Sequence, residues 1–341
     1  MCPSVLRRVA VLVLTGALAA CSSAPPRSVT AAAGSDRSAG AVIGQSDRLL
    51  IYRPGRDDTL RSIAAQFLGD EDRDWVIADF NRVSGVAPDQ PLVVPLKPVN
   101  PVGVFEDRYQ TVPILCYHRF GGASNKMSVS PASFAAQLDW LARNDYRVIR
   151  LSQLIGFLQG REALPKRSVV ITMDDGYESV HRYALPLLRK HGFPATLFVY
   201  SDFIGAGDGL SWAQLGELKA SGLVDVQAHS KSHRNLIERL PGETDEQYRQ
   251  SLDAEARVPR DLLERRQLGP VRQYAYPFGD ANEAVLDALT RQQYQLAVTV
   301  TPGGNAFFSM PLMLRRTMIF GDIDLDAFKA KLRISRPVGT P

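Results

Sequence analysis

Two adjacent carboxylates, Asp174 and Asp175, follow the apolar run Val169-Val170-Ile171, and two imidazoles four residues apart, His229 and His233, follow Val226-Gln227-Ala228. Neighbouring carboxylates held at the end of a strand repel each other, so fixing both costs stability unless a cation or hydrogen bonds offset the charge. Two His four apart converge on one ion when the segment is helical or tightly turned. One carboxylate and two imidazoles with an open coordination position make the donor set of a catalytic zinc-type site. Each signal alone is weak, because an Asp-Asp pair is often a solvated turn and His-x-x-x-His is often chance. In this order, each at the end of an apolar run, the two together outweigh that bland alternative.

Positioning such groups requires a rigid frame, and the chain supplies the pattern of one. Apolar, β-branched runs at 112–117, 169–173, 195–200, 223–228, 272–276, 296–300 and 314–319 alternate with amphipathic stretches at 131–144, 179–191, 212–221, 244–267 and 282–292. Buried strands separated by helices predict a parallel sheet with crossovers. Seven such units fit an incomplete β/α barrel better than an open sheet. In barrels the chemistry gathers where strands end, and both residue pairs lie there.

The pair resembles the signature of the polysaccharide deacetylases, carbohydrate esterase family 4, over residues 112–335. Asp174-Asp175-Gly176 is similar to the first family motif, which implies Asp174 as general base and Asp175 as metal ligand. His229 and His233 match the second motif, both as ligands. Tyr276-Pro277-Phe278-Gly279 matches the third, where the backbone N–H after the proline, here that of Phe278, helps hold an oxyanion. The resemblance implies a divalent metal cofactor, zinc before other transition ions, and hydrolysis of N-acetyl groups on N-acetylglucosamine-containing polysaccharide to acetate and a free amine. Two family features are missing. Ala275 occupies the position of an Arg that orients the base, and the strand 296–300 carries no His to protonate the leaving amine. Arg315 and Arg316, ending the last strand run, are candidates to replace that Arg, Arg316 among the expected catalytic residues. The branch acting on poly-N-acetylglucosamine-like exopolysaccharides has a similar third motif and a Tyr-His at the end of its first strand, as Tyr117-His118 does here. His118 is therefore the candidate acid.

The other imidazoles, His181 within a helical pattern and His191 before Gly192, read as structural. Cys116 lies inside Ile114-Leu115-Cys116-Tyr117 and reads as a small packed hydrophobe. Tyr177 and Trp212 are candidates to line a sugar groove or to pack in the core. Three rival functions stay open: a wall-binding protein with a dead barrel, an O-acetyl esterase using the same site, and a metal-free amidase of the same fold.

Upstream, Arg7 and Arg8 precede an apolar stretch ending in Leu18-Ala19-Ala20-Cys21, the order of a secretory signal. Its end resembles the lipobox of bacterial lipoproteins, which implies removal of residues 1–20, a lipid on Cys21 that holds the protein on a membrane, and, with Ser22 following, an outer-membrane location in the cell envelope. Residues 21–47, rich in Ser, Ala, Pro and Gly, predict a disordered tether. Residues 48–98 read as strand, helix, helix, strand, with Thr59 as N-cap and Gly69 as helix end. This stretch resembles the LysM module at Tyr52, Gly55, Asp58-Thr59-Leu60, Ile63-Ala64, Asn81 and Leu92-Val93-Val94-Pro95, which implies binding of an N-acetylglucosamine-containing glycan through residues 54–58 and 84–90. It departs by an added residue at Arg56 or Asp57 and by an acidic loop at 69–74. Leu60, Ile63, Phe67, Trp75 and Phe80 read as core. Residues 99–111 read as a proline-punctuated linker.

Composition sets the outer limits. The chain has 341 residues, 45% of them hydrophobic, and a net charge of only +4 from 40 basic and 36 acidic residues, so no nucleic-acid partner is expected. Three Cys, at 2, 21 and 116, exclude a disulfide scaffold.

Overall fold

The computed structural model describes residues 40–88, 90–121 and 126–339. The export signal, Cys21 and the first part of the expected tether lie outside the described residues. The end of that tether is not unstructured: Ala41–Gln45 form β1, paired antiparallel with β2 (Leu49–Arg53). Backbone pairing orders a segment whose composition alone predicts coil. After β2 come α1 (Leu60–Leu68), α2 (Asp74–Asn81) and β3 (Leu92–Pro95), giving a sheet ordered β1-β2-β3. Thr59 caps α1 by accepting from the Ser62 amide, and Gly69 ends it in the left-handed region at φ 72°. Asn81 ties α2 to β3, accepting from the Val93 amide and donating to the Val93 carbonyl. Leu50, Tyr52, Ile63, Ala64, Ile77, Leu92 and Val94 form the core, with Leu60 and Phe67 packed at its edge. Phe80 is exposed and Trp75 lies outside that cluster, so these two are not the core residues their spacing predicts.

The linker boundary also moves. β4 (Arg108–Gln110) pairs antiparallel with the last strand, β16 (Ser335–Pro337), so the large unit begins within 99–111. β5 (Val112–Tyr117) then starts the barrel. A short pair, β6 (Arg119–Phe120) and β7 (Ser128–Val129), is followed by α3 (Pro131–Arg143), β8 (Arg147–Val148) and α4 (Leu154–Leu158). The chain continues through β9 (Ser168–Met173), α5 (Leu185–His191), β10 (Ala195–Val199), α6 (Trp212–Ala220), β11 (Val224–Ala228), α7 (Asp245–Arg265), β12 (Gln273–Ala275), α8 (Glu283–Arg291) and β13 (Leu296–Val298). β14 (Gly304–Asn305), β15 (Thr317–Met318) and α9 (Leu325–Ala330) precede β16.

The parallel ladder runs β13-β12-β11-β10-β9-β5, and β15 adds to the free side of β5, also parallel. A single parallel bridge, Val298 to Leu314, brings the seventh strand against the sixth. The sheet thus curls into an incomplete seven-stranded barrel. Because side chains alternate across a strand, each strand feeds two clusters. Val112, Ile114, Val170, Phe198, Ala275, Leu296 and Val298 fill the interior, and Leu151, Leu154 and Phe157 join them at the end where strands begin. Leu115, Tyr117, Ile171, Met173, Leu197 and Val226 face the surrounding helices.

Candidate active site

At the other end of the barrel the interior face turns polar. Along β9 the inward positions read Val170, Thr172 and then Asp174 just past the strand, while along β5 they read Ile114, Cys116 and His118. The backbone N–H of Asp174 donates to the Tyr117 carbonyl at 2.9 Å, so the two strand ends are stitched together where the carboxylate emerges. Asp174 is buried, and Arg316 grips it with both arms: Nη1 donates to Oδ1 and Nη2 to Oδ2, each at 2.7 Å. Arg316 is itself fully buried, and donates from Nε to the Thr299 carbonyl at 2.8 Å and from Nη1 to Thr172 Oγ1 at 3.1 Å. Burial alone would raise the Asp174 carboxyl, but the guanidinium outweighs it and holds the group below the usual carboxylate range.

Asp175 turns the other way, at φ 74°, toward the two imidazoles. Its Oδ1 lies 3.4 Å from His229 Nε2 and 3.2 Å from His233 Nε2. Burial pushes this carboxyl up, while the paired His rings pull it down and prevail. His229 donates from Nδ1 to the Ala275 carbonyl at 2.8 Å, which leaves Nε2 facing Asp175. Ala275, where an orienting Arg was missing from the sequence, therefore contributes a carbonyl. His233 reaches the site through a tight turn in which Ser230 and His233 both have positive φ, at 75° and 62°, and the His233 amide donates to Ser230 Oγ at 2.9 Å. Glu255 on α7 locks this turn: Oε2 accepts from the Lys231 and Ser232 amides at 2.8 and 3.0 Å, and Oε1 from Ser232 Oγ at 2.7 Å.

Non-glycine residues in the left-handed region are uncommon and persist where surrounding structure over-determines them. Asp175, Ser230, His233 and Phe278, with φ from 60° to 75°, all carry this strain at one end of the barrel. Phe278 follows Pro277 and presents its exposed ring 5.1 Å from that of His233. Gly279 is required next, because a Cβ there would sit 2.6 Å from the Val300 amide nitrogen.

The donors fit a metal. One atom each from Asp175, His229 and His233 lies within 4.8 Å of the others, and the buried Asp175 Oδ1 has no hydrogen-bond partner. Two imidazole nitrogens and a carboxylate oxygen suit zinc or a similar borderline ion.

His118 sits at the end of β5, partly buried, with a ring nitrogen within 4.8 Å of Asp174 and of Cys116 Sγ. Burial holds its imidazole below the ordinary value, against the opposing pull of Asp174 and Asp175. Cys116 is more than a packed hydrophobe: it is buried, and its Sγ donates to Asp174 Oδ2 at 3.5 Å. Arg315 points outward while Arg316 points inward, the alternation expected of a strand. Tyr177, Phe203, Tyr200 and His233 form an aromatic row with ring centroids 5.0–5.4 Å apart, so Tyr177 belongs to the rim of the site. Trp212 does not; it packs against the core under the Arg266 guanidinium. His181 and His191 pair with Glu217 and Asp139 at 2.7 and 2.9 Å, which fits structural roles. Sequence reasoning missed Glu255 and the Cys116–Asp174 contact.

An incomplete seven-stranded barrel carries an acid pair and a two-His turn at one rim, and residues 161–297 match the family model described as polysaccharide deacetylase. The chain carries a polysaccharide deacetylase domain. It is 29% identical over 219 residues to the Bacillus subtilis protein YxkH, an alignment covering 64% of this chain and 75% of that one. It is 24% identical over 211 residues to the poly-β-1,6-N-acetyl-D-glucosamine N-deacetylase of Escherichia coli, covering 52% of this chain but only 31% of that longer protein. The structure of IcaB from Ammonifex degensii superposes with a TM-score of 0.58 at 26% identity, over 65% of this chain and 96% of that one.

Proposed function

We propose that the chain is a metal-dependent N-deacetylase of N-acetylglucosamine-containing polysaccharide, held at the cell envelope by a lipid on Cys21. The observation that carries this reading is the pairing of a guanidinium-clamped Asp174 with the adjacent Asp175–His229–His233 donor set. The name of the E. coli relative favours poly-β-1,6-N-acetylglucosamine-like polymers as the substrate class.

Asp175, His229 and His233 would hold a divalent ion, zinc foremost, which when bound supplies a Lewis acid for an amide carbonyl and for water. Asp174 takes the proton of the attacking water; its carboxylate is ionised and aimed by Arg316, so it is in the form a base needs. The Phe278 N–H donates to the oxygen on which negative charge develops. His118 donates a proton to the departing nitrogen, since an amine anion does not leave in water. The acetyl carbon ends as acetate and the sugar as a free amine. Tyr177, Tyr200 and Phe278 give the sugar rings apolar faces to lie on. The 48–98 unit, as a LysM-type module, would hold a second stretch of the same polymer.

Separating base from ligand tests these roles. Asp174→Asn should keep one equivalent of bound metal and lose about 10²–10⁴-fold in turnover, whereas Asp175→Ala should lose metal and turnover together. Loss of metal from Asp174→Asn would reverse the assignment.

A further inference from the structure

Cys116 has no part in the proposed reaction, yet it lies in the barrel mouth beside two groups that do. Its position follows from β5 pairing with β9 in register, Cys116 opposite Thr172 and Tyr117 opposite Met173. Residues two apart on a strand share a face. Tyr117 goes to the helix-side cluster, leaving Cys116 and His118 on the interior face with Thr172 and Asp174. Three different donors thus converge from two neighbouring strands: Cys116 Sγ, a His118 ring nitrogen and an Asp174 carboxylate oxygen, all within 4.8 Å of one another.

We propose that Cys116, His118 and Asp174 form a second cation site, separate from Asp175, His229 and His233, that takes a borderline-soft divalent ion such as zinc or cadmium. A thiolate, an imidazole and a carboxylate are the donors such ions select, while magnesium and calcium prefer oxygen alone. Asp174 has capacity left, because a carboxylate offers about four lone-pair sites, of which Arg316 occupies two and the Cys116 S–H, lost on metal binding, a third. The entry path is the partly exposed His118; Cys116 forms the buried floor. On binding, the Cys116 S–H proton passes to solvent as the sulfur–metal bond forms. The fixed charge of Arg316 opposes a second cation, so this site fills after the first. Filling it occupies the lone pairs with which Asp174 and His118 would move protons, and turnover stops. That consequence rests on the function proposed above; the site itself does not.

The test titrates metal-stripped protein with zinc and with cadmium, reading bound metal by elemental analysis, the ultraviolet cadmium–thiolate absorption, and acetate release. Expected are two equivalents, the second weaker, with the thiolate band rising and acetate release falling at least tenfold as it binds. Cys116→Ser, with Cys116→Ala as a second variant, should keep the first equivalent, lose the second and the band, and show no inhibition relative to its own one-ion rate. One equivalent only in the native protein, or a second equivalent retained in both variants, would overturn the site. A thiolate band with undiminished acetate release would support the site and overturn the part assigned to Asp174 in turnover.

Discussion

Asp174 is an anion with almost no water around it, and it keeps its charge because Arg316 is buried against it. A bidentate guanidinium fixes direction as well as charge, which a lysine cannot reproduce. Arg316→Lys should therefore retain metal yet lower kcat by about 10–100-fold, a fraction of the 10²–10⁴ that a placed base contributes, with KM little changed; steady-state acetate release checks it. Removing the partner altogether leaves an uncompensated buried charge, so Arg316→Ala should also destabilise the fold by about 3–5 kcal/mol. His118 belongs to the same scale. His118→Ala should lower turnover on an N-acetyl substrate by about 10²–10⁴-fold and far less on an activated aryl acetate, whose phenolate leaves without a proton. Equal losses on both substrates would mean that His118 shapes the site instead of donating a proton.

At the scale of elements, the strand ends deliver the carboxylates and a strained turn delivers His233. That turn is held from α7, where Glu255 accepts three hydrogen bonds from Lys231 and Ser232. Glu255→Ala should weaken metal binding about 10–100-fold, the usual cost of losing an outer-shell partner, read as the free-metal concentration giving half-maximal activity. The acid pair and the two His were legible in the sequence because each follows an apolar run, and the barrel was legible because its strands are buried and β-branched. Arg316 could be chosen over Arg315 only by following alternation from the buried Leu314. Glu255 was not legible, since it lies on a helix 22 residues beyond His233 and meets the turn only in three dimensions. β1 was hidden for a different reason: Val42 and Ile43 are its only strand formers, set among Gly and Ala and left exposed, and pairing with β2 supplies the order.

At the scale of the whole molecule, the small unit makes polar contacts with the barrel. Asp74 at the start of α2 accepts from Arg147 at 2.8 Å, and Lys166 donates to the Asp79 carbonyl at 3.2 Å. Arg147 begins β8, beside the start of β9, so the small unit docks at the end of the barrel away from Asp174. The central claim, that this barrel is a metal-dependent N-deacetylase, meets its most direct test in acetate release from β-1,6-linked N-acetylglucosamine oligomers by chelated and reconstituted full-length protein. Chelation should abolish release and one equivalent of zinc should restore it, with one free amine formed per acetate. Release that survives removal of the metal, or the absence of release from the fully loaded protein, would contradict it.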